Sequence, residues 1–597
     1  MKLEVRKYKG IDILRLPFMV APFLITMRLV LEFLQAILPT TIMVFATAFF
    51  IDTAISIFNN TSGVNEIYLP LGILLLLSGV NSVLSALPSI IESKIEFTIE
   101  RSFKPTILSL QANLAYKHIE NAESWELIGR ATDDLTENFL RGISAYGMML
   151  RCIVSIVAVL GLILTQVWWA TVVITVFSIP LVWASLWVGK KNYYAEVETY
   201  KYERRYSYYT NEMLTNREAV EERTLFGYAP DVTRRFVEKF EIARKKQLWV
   251  RLKTYVVVKA FSISLVVVAL VIAFAMINPV IYGSISPGMY VGIVVAVFGI
   301  ARTIGSDFRK AIENISESSE YMKDMSEFIA LERNEDANVL PDTEPLDFQS
   351  LEFRNVFFKY PTGHENIFNG LSFTLSAGKR YAFVGANGAG KTTITKLLTG
   401  LYCDYDGEIL INGKELRTYP SSTIKALFSV VYQDFARYQI SMVDNITIGN
   451  TAGQTSTKQI GDIITKLMLN DTVDAMTNGL NNHLGRIYED GVDISGGQWQ
   501  KIAIARSLVS KASVKILDEP TASLDPIAES KIYHEFKELM KDKTTLLISH
   551  RLGSIKLVDE ILVIDEGRII ERGNHQELIK INGTYANMYE TQKRWYE

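Results

Sequence analysis

Residues 381–393 read YAFVGANGAGKTT, and this stretch decides the fold of the chain around it. Tyr381–Val384 is a short apolar run with the character of a strand, and from Lys391 onward Ile394, Leu397 and Leu398 recur on one helical face. Between them lies a glycine-rich turn. Gly385, Gly388 and Gly390 let the backbone curl so that successive N–H groups point inward, and the helix that follows adds the positive end of its dipole. Every fixed position of G-x-x-x-x-G-K-[ST] is filled, which places Lys391 for β- and γ-phosphates and the Thr392 hydroxyl for Mg²⁺. A glycine turn in an ordinary strand–helix unit is the plainer reading; a complete motif between a strand and a helix makes nucleotide binding the stronger one.

Downstream, Val514–Leu517 reads as a strand ending in Asp518 and Glu519. A carboxylate at such a strand end holds Mg²⁺ and its neighbour deprotonates an attacking water, which makes Asp518 the metal residue and Glu519 the base. Two acids solvated at a strand terminus are the simpler alternative. Lys515 interrupts the apolar run, which is unexpected in a strand covered on both faces and leaves its register open. Between the two strands, Asp493–Gln500 (DISGGQWQ) opens a helix carrying Ile502, Ile504, Ala505 and Leu508, with Ser495 as its N-cap, so a second anion site is expected there. Upstream, Leu351–Phe358 and Leu371–Leu375 read as strands, and Tyr360 is spaced to stack on an adenine or simply to pack beside a proline turn.

The first half differs in character. Apolar residues make up 49% of the 597 and charged ones 21%, with the apolar excess before about residue 305. A net charge of −3 gives no basic footprint, so nucleic acid is not an expected partner. Cys152 and Cys403 are the only cysteines, which excludes a disulfide framework and a cysteine metal cluster and suits a reducing cytosol. Residues 1–20 set Lys2, Arg6, Lys7 and Arg15 among Ile11, Ile13, Leu14, Leu16 and Phe18 without a small-residue cleavage site, the pattern of an interfacial amphipathic helix. Six mostly apolar stretches follow, near 22–51, 67–91, 140–165, 168–188, 253–277 and 281–302.

The connections 52–66, 166–167 and 278–287 carry no Lys or Arg, whereas 92–139 and 189–252 carry many, including Arg204, Arg205, Arg234, Arg235 and Lys245. That bias puts both termini in the cytoplasm. Helical periodicity in the two long inner stretches predicts that the membrane helices run on into the cytosol. Arg28, Glu32 and Arg151 fall in or beside the apolar runs. Arg28 and Glu32, spaced i and i+4, are expected to pair near the interface and snorkel, while Arg151 either lines a cavity or does not. Residues 331–348, acidic and proline-bearing, are the expected linker between a membrane domain (1–330) and a nucleotide domain (349–597).

GANGAGKTT, Gln433 in VYQDF, ISGGQ, ILDEPTASLD and His550 in LLISHRL stand in the order and approximate spacing of the ATP-binding cassette. The chain resembles an ATP-binding cassette (ABC) exporter of the half-transporter kind over nearly its whole length. The resemblance implies an α-helical six-span transmembrane domain fused to an α/β P-loop ATPase domain of ABC type, with ATP and Mg²⁺ as cofactors. It implies head-to-tail pairing of cassettes, each ATP lying between the glycine loop of one (Gly385, Asn387, Gly388, Gly390, Lys391, Thr392, Thr393) and Ser495, Gly496, Gly497 and Gln498 of the other. It further assigns Tyr360 to adenine, Thr392, Gln433 and Asp518 to Mg²⁺, Glu519, His550 and Gln433 to hydrolysis, and Asp525 to communication across the pair. Segments 118–131 and 214–227 look like coupling helices. Ile494 replaces the usual signature leucine, Lys515 an apolar residue, and Asp490 an arginine that exporters commonly carry; the last bears on coupling alone.

One glycine loop and one signature per chain require two chains, and with every catalytic position filled a homodimer is favoured over pairing with a related half-transporter. The expected activity is ATP-driven export from the cytoplasmic side of a bacterial cell membrane. With no peptidase domain expected ahead of the first span, the chain is not expected to cleave a leader itself. VYQDFARYQISMVDNI and DISGGQWQ look similar to exporters of lantibiotics and related peptides, which makes a peptide the first cargo reading and a hydrophobic drug or membrane lipid the second. An ATP-gated channel or sensor of the same architecture is a rival from another class, distinguished by the absence of vectorial transport; a soluble cassette acting on ribosomes or DNA is at odds with the apolar stretches.

Overall fold

In a computed structural model of the protein, residues 3–216, 219–361, 363–520, 543–549, 555–556 and 558–594 are described. The chain divides into two compact units, one of Met1–Ala112 with Ala122–Leu331, the other of Asn113–Asn121 with Glu332–Glu597.

The first unit is helical. A helix at Asp12–Val20 precedes Pro22–Ile37, which passes through a π-turn at Leu38–Ile42 into Met43–Phe58. Pro39 supplies no N–H to the α-helical ladder, which accounts for the irregular turn. Then come Tyr68–Ala112, Ala122–Thr132, Leu135–Gln166, Trp168–Tyr208, Val220–Phe226, Ala229–Ala275, Pro287–Arg302 and Arg309–Ala330. The helices Tyr68–Ala112 and Ala229–Ala275 have 45 and 47 residues, about 70 Å each and roughly twice the thickness of a bilayer core. Ile163, Ala170, Ile272, Ile293 and Val297 pack inward, while Leu75, Leu76, Val83, Val271 and Phe274 face outward. Apolar side chains on both sides of a helix are what a lipid solvent permits.

Among the described residues four helices are long and apolar enough to cross a membrane: Val64–Ala112, Leu135–Thr165, Ala229–Ile281 and Pro287–Ala330. Met43–Phe58 and Trp168–Pro180 are shorter apolar helices. The break at Leu38–Ile42 shortens the first of these, so a count of six continuous spans is not what the helix lengths alone give.

Arg28 and Glu32 pair at 2.6 Å, but the expectation that they snorkel is corrected, since they are only 8% and 2% exposed. Helix Leu135–Gln166 brings Arg151 to the same place, 3.4 Å from Glu32 Oε2 and donating to Gln35 Oε1 at 3.2 Å. The three charges form one cluster inside the helical unit.

Among the described residues the second unit holds two sheets. Strands β1 (Ser350–Phe358), β2 (Phe368–Ser376), β4 (Asp406–Ile411) and β5 (Lys414–Glu415) form an antiparallel sheet in the order β2-β1-β4-β5. The other sheet, among the described residues, runs β10-β9-β3-β8-β7-β6, with β3 (Arg380–Val384), β6 (Phe428–Val431), β7 (Val514–Asp518), β8 (Thr544–Ile548), β9 (Glu560–Asp565) and β10 (Arg568–Gly573). Its strands from β9 to β6 pair in parallel, and β10 closes the edge antiparallel to β9. Ala382, Phe383, Leu546, Leu547, Leu562 and Val563 are buried on both faces, as a covered parallel sheet requires.

Lys515 keeps the register, lying opposite Ser429 and Thr545. Its ammonium donates to the carbonyls of Ser507 and Ser510, the latter at 2.7 Å. These carbonyls end the helix Gly496–Val509. A cation is favoured at a helix C-terminus, where carbonyls lack intrahelical partners, and this resolves why a lysine interrupts the strand.

Candidate functional site

The glycine loop leaves β3 and enters helix Lys391–Leu398. Gly390 has φ +94, where a side chain would be strained, and a Cβ there would collide with the Phe368 ring. A Cβ on Gly385 would collide with the Ile564 carbonyl oxygen, so β9 crowds the loop entrance. Lys391 is 9% exposed and donates to the carbonyls of Gly385 and Ala386, both at 2.9 Å. Burial lowers its pKa, against the raising effect of the nearby Glu519 and Asp518 carboxylates.

Parallel pairing brings the ends of β3 and β7 to the same side of the sheet, with β8 between them. Thr392 Oγ1 donates to Asp518 Oδ2 at 2.9 Å. Asp518 is 1% exposed, and burial, helped by the charges of Glu519 and Asp434 and opposed by the Thr392 hydroxyl and Lys391, pushes its carboxyl up to about 6. Glu519 has φ +47, an uncommon conformation for a non-glycine residue. Its N–H donates to the Ile548 carbonyl at 2.9 Å, and its Oε2 accepts from Gln433 Nε2 at 3.2 Å. Gln433 follows β6, which carries it to the same sheet end.

Thr392, Asp518 and Gln433 offer hydroxyl, carboxylate and amide oxygens, the donor set that a hard divalent cation takes. Two of them already meet at hydrogen-bond distance, so the residues present fit Mg²⁺.

Tyr360 OH lies 2.9 Å from Thr393 Oγ1, which ties its ring to the loop helix. Ser495, Gly496, Gly497 and Gln498 form a separate group. Ser495 caps helix Gly496–Val509, accepting from the Gln498 N–H at 3.3 Å while its own N–H donates to Gln498 Oε1 at 2.8 Å. Gln498 also donates to Thr472 at 2.8 Å. That helix packs in a cluster with Ile460, Ile463, Ile464 and Ile494, whereas Tyr381 and Phe383 of β3 and Ile394 belong to the larger core around Phe353 and Leu562, and Ala382 and Val384 pack with Ile561 and Val563. Ile494, in place of leucine, fills the same kind of apolar position. Asp490, where exporters commonly carry an arginine, faces His483 Nδ1 at 2.9 Å, with His483 stacked on Tyr488 at 4.0 Å. Gly388 has φ +86 within the loop, Asn387 precedes it, and Thr393 lies in the first turn of the helix that follows. His550 and Asp525 lie outside the described residues.

The sequence reading missed Gln500, whose Nε2 donates to the Glu519 carbonyl at 3.4 Å, and it missed Lys396 and Tyr402, which surround Tyr360. An aromatic followed by a lysine on the loop helix is the only signal that could have pointed there, and it has no fixed spacing.

Residues 368–522 match the family described as ABC transporter. The chain is 29% identical over 523 residues to the subtilin transport ATP-binding protein SpaT of Bacillus subtilis, covering 86% of this chain and 83% of that protein. It is 34% identical over 363 residues to the ATP-dependent lipid A-core flippase of Photobacterium profundum, covering 57% of this chain and 58% of the flippase. The corresponding flippase of Escherichia coli K12 matches at 38% over 242 residues, 41% of its length. In fold, a bacterial Atm1-family ABC exporter with ATP bound superposes with a TM-score of 0.74 at 22% identity, over 95% of this chain and 98% of the other. A strand–glycine loop–helix joined to a carboxylate strand end, a second capped helix, and apolar helices in the same chain thus go with an ABC transporter domain at residues 368–522, in a chain similar over most of its length to ABC exporters of the half-transporter kind.

Proposed function

We propose that this chain exports a peptide, working as two identical copies that share two ATP sites. The observation that carries the cargo reading is the match to the subtilin transport protein, which runs through 83% of that protein, while the flippase matches cover 58% or less. The similarity of VYQDFARYQISMVDNI and DISGGQWQ to peptide exporters agrees with it. In this reading the two apolar halves Pro22–Ile37 and Met43–Phe58 make one span, and with the helices starting at Tyr68, Leu135, Trp168, Ala229 and Pro287 the total is six. The charge bias then sets the cassette and both termini in the cytoplasm of a bacterial cell.

One glycine loop and one Ser495–Gln498 stretch per chain support sharing of the sites. Ser495 and Gly496 are exposed at the start of their helix, free to meet the nucleotide held by a second copy. Within one copy, Lys391 would exchange its carbonyl partners for phosphate oxygens, and the loop N–H groups would hold the rest of the phosphate chain. Thr392, Asp518 and Gln433 would hold Mg²⁺, which supplies charge neutralisation for the transferred phosphoryl group. Glu519 takes the proton of the attacking water, and Gln433 fixes the orientation of the Glu519 carboxylate. Tyr360 stacks on the base. His550 acts on the γ-phosphate, and residues 118–131 and 214–227 pass cassette closure to the helices.

A lipid cargo is the second reading, favoured by the flippase matches. Inside-out vesicles carrying wild type or Glu519→Gln, offered a panel of peptides, lipids and dyes, decide between them. ATP-dependent accumulation of a peptide that disappears in the variant is the expected result. Lipid movement in place of peptide accumulation assigns the second cargo, and ATP hydrolysis with nothing moved across any panel member removes the exporter reading in favour of a channel or sensor.

A further inference from the structure

Residues Asn113–Asn121 fold with the cassette unit although they lie in sequence between the helices Tyr68–Ala112 and Ala122–Thr132 of the other unit. Tyr116 packs against the main cassette core, its ring edge-on to Tyr402 at 5.6 Å. Glu120 pairs with Lys396 at 2.7 Å and accepts a hydrogen bond from the Tyr402 hydroxyl.

Lys396 and Tyr402 have a second set of neighbours. The Lys396 ammonium lies 5.2 Å from the ring centroid of Tyr116 and 5.2 Å from that of Tyr360. Tyr402 meets the Tyr360 ring edge-on at 5.4 Å. Tyr360 in turn reaches Thr393 on the loop helix. Each of the two residues therefore touches both the 113–121 segment and the ring that we assign to adenine. Burial alone would lower the pKa of Lys396, but the Glu120 carboxylate and the phenol groups of Tyr360 and Tyr116 outweigh it and raise it. Burial would raise that of Glu120, but Lys396 and the hydroxyls of Tyr402 and Tyr116 bring it down. Both partners are charged at neutral pH, and an ammonium between two aromatic faces is attracted by each.

We propose that Glu120 and Lys396 are positioning residues for the adenine: Glu120 fixes Lys396 and Tyr402, these two fix the Tyr360 ring, and displacement of the 113–121 segment therefore changes the affinity for ATP. Linkage makes the effect reciprocal, so bound ATP tightens the hold of the cassette on this segment. The inference rests on the assignment of Tyr360 to adenine, and the experiment separates the two.

The test compares ATP with tripolyphosphate, which has phosphates and no base, by equilibrium binding to the full-length protein with Mg²⁺ present. Tyr360→Ala is expected to weaken ATP and leave tripolyphosphate unchanged. Glu120→Gln and Lys396→Met should each weaken ATP about fivefold, leave tripolyphosphate unchanged, and add nothing further in the Tyr360→Ala background. The exchanged pair Glu120→Lys with Lys396→Glu should recover part of the loss. If Tyr360→Ala has no effect on ATP, the adenine assignment fails. If Tyr360→Ala weakens ATP while Glu120→Gln and Lys396→Met do not, or if those two weaken ATP and tripolyphosphate equally, the positioning role is overturned and the cluster only holds the segment in place.

Discussion

Thr392 Oγ1 donates to Asp518 Oδ2 across 2.9 Å, joining the first turn of the loop helix to the end of β7. The two residues come from stretches far apart in sequence, and the parallel register of β3, β8 and β7 sets them side by side.

Removing either partner should therefore disable the metal site without emptying the phosphate cradle. Asp518→Asn and Thr392→Ala are expected to lower ATP turnover by about 100-fold or more and to raise the Mg²⁺ concentration needed for half-maximal rate. Phosphate release measured over a Mg²⁺ titration reads both. An unchanged titration curve in either variant would place the metal on other residues.

Glu519 is held by its backbone as well as by Gln433, with φ +47 and its N–H on the Ile548 carbonyl. Substitution by glutamine keeps the shape and removes the base, so hydrolysis should fall by about 10²–10⁴-fold while ATP stays bound. Single-turnover hydrolysis and retention of labelled ATP distinguish loss of chemistry from loss of binding. Turnover within tenfold of wild type would mean that another group takes the proton.

Lys515 carries a pH signature. Burial pushes its ammonium from 10.5 down to about 7. Between those values the unfolded chain binds more protons than the folded one, so the cost of burying the charge is complete below about pH 7 and is relieved as pH rises. The stability of wild type relative to Lys515→Met should shift in favour of wild type by about 1 kcal/mol or more between pH 7 and pH 9. Thermal unfolding at the two pH values measures it; a shift of opposite sign would show that the helix-end carbonyls, not burial, govern the lysine.

Glu32 sits between two guanidinium groups at 2% exposure. Glu32→Gln leaves Arg28 buried without its countercharge, which should cost about 3–5 kcal/mol and lower the melting temperature in detergent. Replacing Arg28 by methionine in the same chain should return part of the loss. A variant as stable as wild type would mean that water reaches Arg28.

Local motifs were legible because their chemistry is local. A strand, three glycines, a lysine and a helix are contiguous, and the helix N-cap at Ser495 needs only Gln498 three residues on. What escaped depends on residues brought together by folding. Lys515 looked out of place because the carbonyls of Ser507 and Ser510 that it meets belong to the preceding helix. Glu120, Lys396 and Tyr402 follow no spacing rule, since one comes from the helical half of the sequence and two from the cassette. Hydropathy windows located apolar stretches but passed over the π-turn at Leu38–Ile42, and i,i+4 spacing paired Arg28 with Glu32 without seeing that the pair is buried and that Arg151 joins it.

The placement of Asn113–Asn121 also bears on how this protein can be taken apart. A cassette expressed from Glu332 onward would lack Tyr116 and Glu120, leaving the Lys396 ammonium without its counterion and the Tyr402 hydroxyl without its acceptor. The severed piece is an incomplete domain whose missing strip is carried by the other half of the gene, and nucleotide affinities or melting curves taken on it describe that truncated object. Supplying residues 113–121 in trans as a peptide would be the direct way to make it whole.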